Sequence, residues 1–198
     1  MVVTVKPVTP SQAGPEVRPI YDRLKAEHMM VPVFFQAMAH VPHLLASLMR
    51  RMGRMEKGVT LSASLKDLVH YATAHEFSCS YCTGSAMMTL RINGYSERAI
   101  ASLKNRSEAM EFDANTRRLL SFARLLARNP DRVTPAEIVE LRSAGLTDEK
   151  IISALALVAE SGFNTRITGT LAIEPEGFLK AANSPLGRRL LIPIFRLM

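Results

Sequence analysis

Only two of the 198 residues are cysteines. That is too few for a disulfide framework, so an apolar core has to hold the chain together. No apolar run reaches the roughly 18 residues that a membrane span takes, and no membrane association is expected. No low-complexity tract or long linker divides the chain, which argues for one domain over residues 1–198. No stretch alternates apolar and polar residues as a half-buried strand would, and that leaves helices. The basic residues lack interleaved aromatics and are scattered as Arg50, Arg51 and Arg54, as Arg117 and Arg118, and as Arg188 and Arg189. A net charge of +7 in that arrangement reads as solvated helix faces, and nucleic acid is not an expected partner. The opening "MVVTVKPVTPSQ" lacks the basic-then-apolar pattern of a signal peptide, which points to the cytoplasm, where thiols stay reduced.

What is present is a chain that is 47% hydrophobic and 22% charged, rich enough in apolar residues to bury a sizeable core. Val17, Ile20, Tyr21 and Leu24 recur at i, i+3, i+4 and i+7 after Pro15. Leu44, Leu45, Leu48, Met52 and Met55 form a second helical stripe. Residues 61–77 read as a third helix, and Leu119, Phe122, Leu125 and Leu126 mark another. Thr134-Pro135-Ala136-Glu137 has the form of a capping box with proline at the first helical position. Gly94 and Gly145 stand where helices should stop, each just before a fresh cap at Ser96 and Thr147. "NGYSERAIASL" and "AGLTDEKIISAL" echo one another through these signals. The expected class is all-α. The tail 184–198 is apolar and basic, and Pro193 argues against a continuous helix there. It is expected either to dock on a neighbouring subunit or to fold back on its own core.

Both cysteines fall in "HEFSCSYCTGSAMM", residues 75–88, spaced Cys-x-x-Cys. A structural zinc site needs four ligands. Cys79, Cys82, His70 and His75 are at hand, and His75 and Cys79, one helical turn apart, can face the same way, but His70 is rotated off that face and no second pair follows. No metal is expected. Two inert, buried thiols are a second reading. Against it, Ser78, Ser80, Tyr81, Thr83 and Gly84 break the apolar helix and read as a helix end followed by a new N-terminus. A thiol in the first turn of a helix gains from free N–H groups and the aligned dipole, which raise its thiolate fraction. The local sequence therefore favours a redox pair.

The segment "LKDLVHYATAHEFSCSYCTGSAMMTLRINGYSERAI" resembles the core of the alkylhydroperoxidase D-like, or carboxymuconolactone decarboxylase, superfamily. Upstream, "PVFFQAMAHVPHLLASLM" is similar to a segment of its peroxidase-related branch. Downstream, "RRLLSFARLLARNPDRVTPAEIVELRSAGLTDEKIISAL" is similar to that branch's second half. The resemblance covers about residues 15–177 and implies a compact helical fold assembled into trimers or hexamers. It also implies reduction of a small hydroperoxide, or of a disulfide, at the expense of a thiol reductant, with no cofactor. Attack would fall to Cys82 and resolution to Cys79, and Asp67 occupies the place of the glutamate that opens the family's proton relay.

The chain departs from that pattern where the relay histidine should stand, four residues after the second cysteine. That position is Ala86, which can neither accept nor return a proton. His75, Glu76 and Tyr81 are the local candidates to replace it, Tyr81 more as packing beside the sulfurs than as a proton donor, since an ordinary phenol holds its proton to about pH 10. Asp67 would lie roughly 18 Å from Cys79 along a straight helix, so only a chain reversal near Ser78 would bring the two together. Two other readings stand beside the enzyme: a redox-sensitive binding or scaffold protein, and more weakly a lactone decarboxylase.

Overall fold

The computed structural model describes residues 5–107 and 111–197. Eleven α-helices and no strand occur among them. They are α1 (Arg18–His28), α2 (Val33–Met38), α3 (Pro42–Gly58), α4 (Ala63–Glu76), α5 (Ser80–Ile92), α6 (Glu97–Asn105), α7 (Ala114–Arg128), α8 (Pro135–Ser143), α9 (Asp148–Thr170), α10 (Gly177–Asn183) and α11 (Pro185–Leu197). None is long and apolar enough to cross a membrane, among the described residues.

The caps fall where the side chains dictate. Ser62, Ser96 and Thr147 each accept a backbone N–H from the first turn of the helix that follows. Thr134 and Glu137 form the reciprocal capping box ahead of α8. Because Ser62 caps α4, that helix begins two residues later than the apolar pattern suggests. Gly94 and Gly145 take φ of +90° and +80°, the left-handed geometry that ends α5 and α8.

Between Leu68 and Ala74, α4 is apolar or small at every position but His70, and a segment of that kind belongs in a core. Leu68, Val69, Tyr71, Ala72, Thr73 and Ala74 are all sealed from solvent. The neighbours packed around it are α5, α7 and α9, contributing Leu90, Leu119, Leu120, Ala123 and Ala154 to one apolar cluster. A second cluster gathers α1, α2 and α3 around Leu24, Phe34, Phe35, Leu45 and Leu48. Leu44, by contrast, faces water. The seam between these two clusters becomes the site described below.

Residues 184–198, of which Met198 lies outside the described residues, fold back on the chain's own helices. α11 packs on α5 and α10, Phe195 meets Phe178 edge-on at 5.3 Å, and Ile192 is buried. Gly187 permits the close approach, since a Cβ there would sit 1.8 Å from the Ala181 carbonyl oxygen. Contrary to expectation, α11 runs unbroken through Pro193. Pro193 and Arg189, whose carbonyl loses its helical donor, both lie on the exposed side, so water can take over that bond.

One buried cation ties this wall to the core. Arg91, 3% exposed, forms an ion pair with Glu97 and donates to Asn183 Oδ1. Arg188 shares Glu97 at 2.9 Å, and Arg196 donates to the Arg91 carbonyl at 2.6 Å. Glu97→Ala is expected to cost about 2 kcal/mol in urea unfolding. Breaking a fully buried pair typically costs about 3–5 kcal/mol, and here Glu97 is half exposed while Arg91 keeps Asn183.

Candidate functional site

Only Phe77, Ser78 and Cys79 separate α4 from α5. Ser78 takes a left-handed φ of 53°, and the Cys79 N–H returns to the Ala74 carbonyl at 3.2 Å, closing the six-residue motif that ends α4. Cys79 is at the same time the N-cap of α5, its Sγ accepting the Cys82 N–H at 3.2 Å. The reversal sets the pair at the start of the second helix, as the polar break implies. Cys79 and Cys82 are joined by a disulfide and pack on Ala74 and Tyr81.

Both cysteines are buried, at 4% and 5% exposure, but they differ in what they face. Cys82 lines a pocket of about 540 Å³ at the seam of the two apolar clusters, and Cys79 does not. Phe34, Phe35, Met52, Met88, Phe178 and Phe195 supply most of the apolar wall. The Tyr81 hydroxyl donates to Glu176 Oε1 at 2.9 Å, which also accepts the Val33 N–H at 2.7 Å. That carboxylate therefore fastens α2, α5 and the start of α10 together around the pocket.

The polar corner of the pocket comes from residues that local motifs do not reveal. His70 reaches it from α4, its Nδ1 in a 2.9 Å hydrogen bond with Ser161 Oγ. Asn164 and Thr168 reach it from α9. Burial lowers the His70 pKa below the ordinary imidazole value, so the ring is neutral near pH 7. The Asn164 Oδ1 atom is buried and accepts no hydrogen bond from the described residues.

The expected site residues divide sharply. Cys79, Cys82 and Tyr81 are together. The Tyr81 pKa is raised by burial first and by Glu176 second, which keeps the phenol protonated. Glu76 lies elsewhere, buried among Arg106, Arg124 and Arg128. His75 stacks on Tyr71 at 5.8 Å. Its pKa is lowered, first by burial, and neither it nor Glu76 lines the pocket. Ala86, 2% exposed, faces the α4 side of the core. An imidazole there would overpack the core rather than enter the pocket. Asp67 accepts a hydrogen bond from Asn93, at the far end of α5. Eleven residues of helix separate Asn93 from Cys82, roughly 16 Å, so the chain reversal does not bring Asp67 to the thiols. Among the described residues no three His, Cys, Asp or Glu side chains group as a metal ion would require.

The sequence matches no family model and no curated protein. Solved structures do match its shape. An uncharacterized peroxidase-related protein from Ralstonia eutropha JMP134, described as an alkylhydroperoxidase AhpD core, superposes with a TM-score of 0.80 at 20% identity, over 90% of this chain and 95% of that one. This chain has the AhpD-like fold. A second peroxidase-related protein, from Silicibacter sp. TM1040, gives 0.76 at 19% identity over 89% and 90%. The debrominase Bmp8, as a cysteine-to-alanine variant in complex with 2,3,4-tribromopyrrole, gives 0.77 at 16% identity over 98% of both chains. Within the AhpD-like fold, then, this chain carries its cysteine pair at the α4–α5 turn and brings His70, Ser161 and Asn164 to the adjoining pocket.

Asp67 offers a separable test of its role. Burial raises its pKa to about 6, against the hydrogen bond from Asn93. A carboxyl whose folded pKa is raised destabilises the fold when ionised, above about pH 6, and has no such effect once both states are protonated, below its ordinary value of 3.8. Asp67→Asn keeps an acceptor for Asn93. It is expected to unfold about 1–2 kcal/mol later than wild type at pH 8, a figure discounted because water reaches part of the carboxyl. The advantage should vanish at pH 4. An equal effect at both pH values would assign it to packing instead.

Proposed function

We propose that this chain is a thiol-dependent oxidoreductase that reduces a small organic hydroperoxide, with Cys82 as the attacking thiol and Cys79 as the resolving one. The observation that carries the reading is the asymmetry of the pair: Cys82 opens on the apolar pocket, while Cys79 sits behind it as the helix cap. The Cys82 thiolate would attack the terminal peroxide oxygen. The O–O bond breaks, the alkoxide takes a proton and leaves as an alcohol, and Cys82 becomes a sulfenic acid. The Cys79 thiol then displaces that oxygen as water and closes the disulfide. A thiol reductant restores both thiols by exchange.

A second reading keeps the thiols and changes the acceptor. The debrominase neighbour and the four phenylalanines around this pocket favour a halogenated aromatic ring. Two thiols would then supply the electrons that replace carbon–halogen with carbon–hydrogen, releasing halide and the same disulfide. The family resemblance further suggests a homo-oligomer, for which α11 offers Leu186, Leu190 and Ile194 exposed at helical spacing. Light scattering at micromolar concentration should give a multiple of 21.9 kDa, and a clean monomer would remove that part of the reading.

Reduced protein mixed with one equivalent of cumene hydroperoxide is expected to lose two thiols per peroxide. Cys82→Ser should abolish the reaction. Cys79→Ser should stop at a sulfenic acid that dimedone traps. A Cys82→Ser protein that consumes peroxide as wild type does would end the assignment. Bromopyrrole consumption without peroxide consumption would select the second reading. A disulfide that forms and breaks readily with no turnover of either substrate would leave a redox-sensitive binding protein.

A further inference from the structure

We propose that His70, steadied by Ser161, is the group that takes the proton from Cys82 and hands it to the departing oxygen. The inference rests on the reading of Cys82 as the attacking thiol. The relay position of related proteins is closed to this role, because Ala86 is packed into the core. The local substitutes are closed too. Glu76 is committed to arginines, His75 faces away from the pocket, and the Tyr81 hydroxyl is already given to Glu176.

Two histidines line the pocket with Cys82, and they differ: His28 is exposed at its rim, whereas His70 is held at the polar corner by Ser161. Its i+4 neighbour on α4, Ala74, clusters with Cys79 and Cys82, so His70 lies on the face of α4 turned toward the pair. Its Nδ1 is engaged by Ser161 at 2.9 Å, and Nε2 has no hydrogen-bond partner among the described residues. With Nδ1–H donated to the serine, Nε2 presents its lone pair. When Nε2 gains a proton, the Nδ1–H bond to Ser161 persists unchanged. The ring can therefore cycle between neutral and charged forms without a tautomer shift or a turn about its side-chain bonds.

Asn164 and Thr168 complete the polar corner around His70. In the balanced step, the proton moves from Cys82 Sγ to His70 Nε2 and the thiolate electron pair forms the S–O bond. The O–O pair goes to the alkoxide, which takes the His70 proton and leaves as the alcohol.

The test measures two reactions on reduced wild type, His70→Ala, His70→Asn and Ser161→Ala. The first is oxidation by cumene hydroperoxide under rapid mixing. The second is alkylation of Cys82 by iodoacetamide in a Cys79→Ser background, which reads the thiolate whatever the natural acceptor proves to be. His70→Ala should slow peroxide reduction by about 10²-fold or more, and free imidazole at tens of millimolar should restore part of that loss. Alkylation should slow by roughly tenfold, the effect of about one pKa unit on the thiolate fraction. His70→Asn, which retains a group to bond Ser161, should lose as much as His70→Ala. Ser161→Ala should lose roughly tenfold in both reactions, and it decides the matter if the His70 variants do not fold. Unchanged alkylation in folded variants, or a peroxide defect that imidazole does not touch, would overturn the role of His70. A wild type inert to peroxide whose Cys82 alkylation still depends on His70 would overturn the peroxidase reading and leave this one standing.

Discussion

The single hydrogen bond from the Cys79 N–H to the Ala74 carbonyl sets the geometry on which the site depends. It closes α4 in the same residue that opens α5, so the two helices meet with no slack between them. Ser78 accepts a left-handed conformation to make this possible, at a cost of order 1 kcal/mol for a residue with a side chain. What offsets that cost is the packing of α5 along the buried α4. Without the reversal, Cys82 would point along the helix into solvent. With it, the sulfur is carried to the seam where the two apolar clusters leave room for a small molecule.

That seam explains why a largely hydrophobic pocket ends in a polar corner. Helix α9 crosses α4 with Ser161, Thr165 and Thr168 turned inward, each buried. Thr165 and Thr168 hydroxyls are satisfied by carbonyls of their own helix, but Ser161 spends its oxygen on His70. The polar stripe thus serves its helix along most of its length and serves the site at one point. Around the remaining wall, Glu176 collects a hydroxyl from α5 and an N–H from α2. The pocket is accordingly bounded by elements from both ends of the chain, α1 to α5 and α9 to α11.

Much of the fold was legible in the sequence because its signals are local. Helical spacing, the caps at Ser96, Thr134 and Thr147, and the polar break around the cysteines each act within one or two turns, and each appears in the structure. Pro193 misled because the rule against mid-helix proline assumes a carbonyl with no other partner, whereas the exposed side of α11 has water. The candidate site was legible only at the cysteines and Tyr81. His70 was set aside on a helical-face argument that holds for a straight helix and fails once the chain reverses at Ser78. Ser161 and Asn164 lie about eighty residues downstream of the cysteines, and no spacing rule links them. The one signal they leave is the run of Ser161, Asn164, Thr165 and Thr168 at i, i+3, i+4 and i+7, a polar seam in a helix long enough to be central. Asp67 matched a family position, but its surroundings are set by Asn93 at the opposite end of the hairpin.

The shortness of the cross-link has a consequence for how the molecule behaves as its redox state changes. A bond between residues three apart closes a loop of four, and in the chain-entropy account it restrains the unfolded state by only about 2 kcal/mol. Bridges across a hundred residues restrain it by more than twice that. The buried flanks of α4 hold the turn whether or not the sulfurs are bonded. Oxidation is therefore coupled to folding more weakly than in a protein with long-range bridges. If the pair cycles as proposed, a cross-link this short lets the disulfide come and go with little demand on the rest of the fold, so the redox state would be read in the reactivity of one pocket more than in the shape of the molecule.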